Sequence, residues 1–174
     1  FRRLSELNNM LYVVAWNKLY KKELFSVYRY AYGKIHEDEF IIHYIYGQCK
    51  KAVTLSDKLY YYIQSGESIT SQNTNMKRLD AVEAMYDRIQ YYKKNGYKAY
   101  TPKIEEYIWW LLTECYVKIE KTQETKKRLR EIKLLYNQLY VGMVKHNIKC
   151  LRKMITLTLF RINPNVYDSL VSRR

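Results

Sequence analysis

Thr101-Pro102-Lys103-Ile104-Glu105-Glu106-Tyr107-Ile108-Trp109-Trp110-Leu111-Leu112-Thr113-Glu114-Cys115-Tyr116-Val117-Lys118-Ile119 decides the fold class. Thr101 reads as an N-cap with proline at the first helical position, where its missing N–H costs nothing. Ile104, Ile108, Leu111, Leu112, Cys115 and Ile119 then recur at helical spacing, which predicts a long amphipathic helix. Upstream, Leu79, Val82, Met85, Tyr86 and Ile89 form a second stripe that ends at the turn signal Lys94-Asn95-Gly96. Downstream, Leu129, Ile132, Leu135, Leu139 and Met143 form a third, beneath an outer face of Lys126, Lys127, Arg128, Arg130 and Lys133. The last helical stretch, from Ile148 to Ile162, places Leu151, Ile155 and Leu159 opposite Lys149, Arg152 and Lys153, and a short helix to Val171 follows Asn163-Pro164.

The amino-terminal part has a different grain. Leu11-Tyr12-Val13-Val14-Ala15 is a short apolar run of strand length, and Trp16 to Phe25 spaces its apolar residues as a short amphipathic helix. After the turn Tyr32-Gly33-Lys34, His36-Glu37-Asp38 opens a helix whose apolar positions Phe40, Ile41, Tyr44 and Ile45 face inward. Lys51 to Leu55 and Leu59 to Ile63 read as two short strands, and Gln64 to Asn75 as a polar loop. The expected fold is mainly α: a short β-strand remnant over residues 1–74, followed by a helical bundle over 75–174.

Composition sets the outer bounds. With 174 residues and 48% hydrophobic residues the chain can bury a core, and with Gly at 5 and Pro at 2 it favours long helices over a many-stranded barrel. A formal net charge of +14 implies attraction to polyanions: nucleic acid, an anionic membrane surface or phosphate-bearing substrates. Cys49, Cys115 and Cys150 are odd in number and widely spaced, so neither a disulfide framework nor a zinc site is indicated, and a reducing cytoplasm is the simplest setting. No run of apolar residues is long enough to span a membrane. His36, His43 and His146 lack ligand spacing and read as surface or satisfied buried histidines.

Asp38 and Glu37 have the chemistry of a general base at a helix start, although acids in a first turn also simply offset the helix dipole. Trp16 is a flat apolar platform for a sugar face, or a core residue. Ser65-Gly66-Glu67-Ser68 offers hydroxyls and backbone N–H groups to a phosphate without a dense glycine pattern.

Three ordered segments, Trp16-Asn17-Lys18-Leu19-Tyr20-Lys21-Lys22-Glu23-Leu24-Phe25, Gly33-Lys34-Ile35-His36-Glu37-Asp38-Glu39-Phe40, and Tyr60-Tyr61-Tyr62 with Glu67-Ser68-Ile69-Thr70, resemble the second half of bacterial family-two glycosyltransferases. The resemblance continues loosely through Arg78-Leu79-Asp80-Ala81, Gly96-Tyr97 and Ile162-Asn163-Pro164-Asn165-Val166-Tyr167. It implies a GT-A nucleotide-sugar fold and an inverting displacement, with Asp38 as the base, preceded by Glu37, and with Trp16 and Lys18 lining the acceptor side. Many relatives carry arginine where Ile63 and Ser65 stand, which leaves Gln64, Ser65 and Ser68 as candidates for the donor phosphates.

The family's first half supplies the nucleotide-binding strands, an Asp-Asp-Gly-Ser-like segment and an Asp-x-Asp-like motif for a divalent cation, manganese or magnesium. None of these occurs in a chain that begins at Phe1. The expectation is therefore a carboxy-terminal part of a hexosyltransferase of bacterial surface polysaccharide or glycoconjugate synthesis, inactive by itself and binding no metal. Its complete form would take a nucleotide-sugar donor and a glycan or lipid-linked acceptor at the inner face of the cytoplasmic membrane. The rival expectations are a basic helical interaction module, forming a homodimer or docking on a membrane through Lys149, Arg152 and Lys153, and, less favoured for want of a motif, a nucleic-acid binder.

Overall fold

A computed structural model of the chain describes residues 1–6, 10–63 and 76–171. The elements are α1 (Met10–Val13), α2 (Glu37–Gln48), α3 (Asp80–Lys94), α4 (Thr101–Lys118), α5 (Gln123–His146), α6 (Leu151–Ile162) and α7 (Pro164–Val171). Short 3-10 turns lie at Arg3–Ser5, Lys22–Phe25, Met76–Leu79 and Lys98–Tyr100. The molecule is mainly helical, and the described residues contain no β-strand.

The three long stripes meet as their spacing requires. Leu79, Val82, Met85 and Ile89 of the first, all six positions of the second, and Leu129, Ile132, Leu139 and Met143 of the third are buried in one core. Tyr86 and Leu135 are only partly covered at its edge. Because apolar burial is the dominant favourable contribution to folding, this cluster holds α3, α4 and α5 together. The buried tyrosines also satisfy their hydroxyls: Tyr136 donates to the Leu157 carbonyl at 2.8 Å and joins α5 to α6. Between α3 and α4, Gly96 turns the chain at φ 83°, a conformation that a side chain would strain.

The starts of α5 and α4 are closed differently. Thr122 caps α5 by accepting from the Thr125 N–H at 3.2 Å. Thr101 is instead already helical, and its hydroxyl donates back to the Lys98 carbonyl at 3.1 Å, so the cap position falls on Tyr100, which makes no side-chain cap hydrogen bond, and Pro102 stands one place later than expected, within the first turn.

The expected strands are where the structure departs. Met10–Val13 is a single turn of helix, in the place of a strand over Leu11 to Ala15. Trp16 to Phe25 is irregular apart from the turn at Lys22–Phe25. Lys51 to Leu55 and Leu59 to Ile63 are exposed and make no backbone hydrogen bond to another segment among the described residues. A strand needs a neighbour to complete its ladder, and none of the described residues provides one. Among the described residues the helical bundle therefore stands without a sheet remnant.

On α6 the residues that enter the core lie outside the stripe of Leu151, Ile155 and Leu159. Leu157 and Phe160 enter the core, while Leu151 and Ile155 point outward and Leu159 is half-buried. The aromatic residue at 160 decides this, since its ring packs edge-on against Tyr116, Tyr136 and Tyr167.

Candidate active site

The acid turn stands at the head of α2. His36 is left-handed, at φ 57° and ψ 38°, so the chain enters the helix through a sharp corner. Of the acids that follow, Glu37 is exposed, Asp38 half-buried and Glu39 buried. An Asp38 carboxyl oxygen accepts the Glu39 N–H at 2.9 Å. Burial pushes the Asp38 carboxyl above the ordinary aspartate range, and the neighbouring Glu39 charge adds to the effect. Tyr20 and Tyr30 both lie within its field.

Lys18 also lies close enough for its ammonium to feel Asp38, while burial lowers its pKa to about 8. Its Nζ donates to the Leu11 carbonyl at 2.9 Å, the Val14 carbonyl at 2.6 Å and Asn17 Oδ1 at 2.6 Å. The amine thus fastens the end of α1, where a cation meets unsatisfied carbonyls. Trp16 is stacked on Tyr60 and Tyr62, with ring centroids at 4.7 and 5.0 Å. Its faces are engaged by tyrosines, and the exposed aromatic surface there is that of Tyr60, Tyr61 and Tyr62. Gln64, Ser65 and Ser68 lie outside the described residues.

What sequence reasoning missed is the support under the acid turn. Arg88 of α3 is fully buried. One of its guanidinium nitrogens donates to both the Glu39 carboxylate and the Glu39 carbonyl, and another to the Leu4 carbonyl at 3.1 Å. On the other side of the turn, Asp80 accepts from the Ile35 N–H at 3.3 Å, from Lys34 at 3.0 Å and from Arg128 of α5 at 2.8 Å. Glu83 is shared by Lys34 and Arg128, each at 2.7 Å. Burial raises Glu83, but the hydrogen bonds from these two cations outweigh it, so its pKa is held below the ordinary range.

Farther along α2, buried His43 meets Asp87 at 3.1 Å, and burial lowers its pKa, favouring the neutral imidazole. The signal was present in the sequence: Asp80, Glu83, Asp87 and Arg88 recur at helical spacing beside the apolar stripe of α3. A charged stripe that borders a core marks a buried polar contact as readily as a solvated face.

A second ionisable pair lies apart from this turn. Glu105 of α4 is buried, and burial raises its pKa even though one of its oxygens is 2.8 Å from His146 of α5. The adjoining cavity, lined by Pro102, Trp109, Met143 and Leu157 among others, is about 10 Å³, room for one water and not for a sugar. No group of three His, Cys, Asp or Glu side chains among the described residues converges as a metal-ligand set.

Comparison with known proteins supplies one relationship. Over 93 residues the chain is 32% identical to "Glycosyltransferase GlyA" of Streptococcus pneumoniae serotype 4. The matched part is 53% of this chain and 13% of that relative, so the chain spans a small fraction of the relative's length. No family profile matches the chain, and no solved structure does. The chain is thus a partial homologue of a glycosyltransferase.

Proposed function

We propose that this chain is the acceptor-side part of an inverting, nucleotide-sugar-dependent glycosyltransferase of bacterial surface polysaccharide or glycoconjugate synthesis, and that Asp38 is its base. The observation that carries the reading is the Asp38 carboxyl itself: half-buried, pushed up in pKa by that burial, and placed on a turn gripped from both sides by α3. A base needs a raised pKa to take a proton near neutrality and a fixed position from which to take it.

In the proposed step the Asp38 carboxylate accepts the proton of an acceptor hydroxyl. The acceptor oxygen bonds to the anomeric carbon of the donor sugar as the bond from that carbon to the nucleotide diphosphate breaks, inverting the centre. Lys18 keeps the segment after α1 beside Asp38, and Tyr60, Tyr61 and Tyr62 offer aromatic surface to a sugar face. This reading leaves the donor side to further sequence of the kind that the much longer relative has.

The test is nucleotide-sugar turnover by the complete natural protein that carries this segment. Asp38→Asn is expected to lower kcat by about 10²–10⁴-fold, the usual worth of a positioned base. Because the Asp38 pKa is raised, the acid limb of the rate profile is expected above the ordinary aspartate range and to vanish in Asp38→Asn. An Asp38→Asn enzyme with the wild-type rate and profile would move the base elsewhere.

A further inference from the structure

From Ile132 to Tyr167 the sequence has no acidic residue, while it carries Lys133, Lys145, Lys149, Arg152, Lys153 and Arg161. Within this stretch α6 has two apolar faces. Leu157 and Phe160 are spent on the core. The other face is open: Leu151 is 67% exposed, Ile155 50% and Ile162 75%, with Ile148 at 68% in the preceding turn. Residues 151, 155 and 162 are spaced by four and seven, so they form one stripe along the helix.

Lys149 and Arg152, next to Leu151 in the chain, and Lys145, at the end of α5, are exposed, and their side chains have no acidic partner among the described residues. Lys153, by contrast, is engaged by Glu106 of α4, and the Arg161 guanidinium lies 4.3 Å from the centre of the Tyr140 ring.

We infer that the outer face of α6 docks on an anionic lipid surface, with Leu151, Ile155 and Ile162 entering the boundary between headgroups and acyl chains and with Lys149 and Arg152 meeting lipid phosphates. Charge selects this occupant. A second copy paired about a two-fold axis would bring the same net-cationic rim, whose nearby Glu106 is already taken by Lys153, against itself, which like-charge repulsion opposes. A phosphate-bearing membrane supplies both the negative charge and the apolar layer that the face lacks. The geometry is that of a helix lying along the surface, since no helix among the described residues is long and apolar enough to cross a membrane. The inference stands independently of the role of Asp38.

The experiment is co-flotation of the 174-residue chain with vesicles of phosphatidylcholine plus phosphatidylglycerol, against phosphatidylcholine alone, at low salt. Binding is expected only to the anionic vesicles. Lys149→Glu with Arg152→Glu is expected to weaken it at least about tenfold. Leu151→Ser with Ile155→Ser keeps every charge and is expected to weaken it by a comparable factor of about ten. These positions are exposed, so circular dichroism should match the wild type; if Ile155→Ser loosens α6, Leu151→Ser alone carries the test.

Three results would overturn the inference. Equal behaviour toward both kinds of vesicle is one. Serine variants that bind like the wild type would reduce the attraction to charge alone. A dimer in sedimentation that the serine pair dissociates, without vesicle binding, would seat a second copy on this face.

Discussion

The bundle of α3, α4 and α5 and the segment from Lys51 to Ile63 contain comparably apolar sequence, yet one is a closed core and the other lies exposed. Leu112 is fully buried, whereas Leu55 is 65% and Ile63 86% exposed. A helix completes its backbone hydrogen bonds internally, so its stripe needs only another stripe to cover it. An extended segment depends on a neighbouring strand for both its hydrogen bonds and its burial. The acid turn lies between these extremes: it is local in sequence but is held by groups from α3 and α5.

The strongest way to break this comparison is at the buried pair beneath the turn. Arg88→Ala leaves the Glu39 carboxylate without its cation and is expected to cost about 3–5 kcal/mol in urea unfolding, as for other broken buried pairs. Arg88→Ala with Glu39→Gln should recover part of that loss, because the uncompensated charge is gone. Loss of the same size in both proteins would show that packing, not charge, is what Arg88 supplies.

Within the apolar core, Leu112→Ala is expected to destabilise by about 2–5 kcal/mol, measured the same way. A loss below about 1 kcal/mol would show that the site collapses around the smaller residue.

A smaller effect is expected from Glu83, whose pKa is depressed in the folded protein by Lys34 and Arg128. A depressed acid stabilises the fold above its unfolded pKa and loses that contribution as pH falls through the folded value. The difference in thermal midpoint between wild type and Glu83→Gln should therefore be present at neutral pH and close on acidification. A difference that persists in acid would assign the effect to packing.

The smallest effect is expected where nothing is buried. Val53→Ser and Leu55→Ser should each fall within about 0.5 kcal/mol of the wild type in the 174-residue chain, since neither side chain is covered. If the complete natural protein instead loses much more than this at Leu55, the segment is buried there by sequence outside this chain, and the contrast between the two regions belongs to the piece alone.

By itself, the sequence determined the parts whose physics is local or periodic. The three stripes predict α3, α4 and α5 because a repeat near 3.6 residues places every fourth or third side chain on one face. The acid turn was legible because Gly33-Lys34 and a run of acids mark a helix start, and α2 begins at Glu37 as expected. Only the tertiary structure decided the rest. Whether Leu11 to Ala15 or Leu59 to Ile63 becomes strand depends on a partner at a distance in the chain. Which face of α6 is buried was decided by where Phe160 fits among the rings of Tyr116, Tyr136 and Tyr167. That Glu39 is a buried anchor while Glu37 is free and Asp38 is half-covered follows from Arg88, 49 positions beyond Glu39. Three neighbouring acids carry nearly the same local signal, and their roles diverge because desolvation and ion pairing are set by what packs over them.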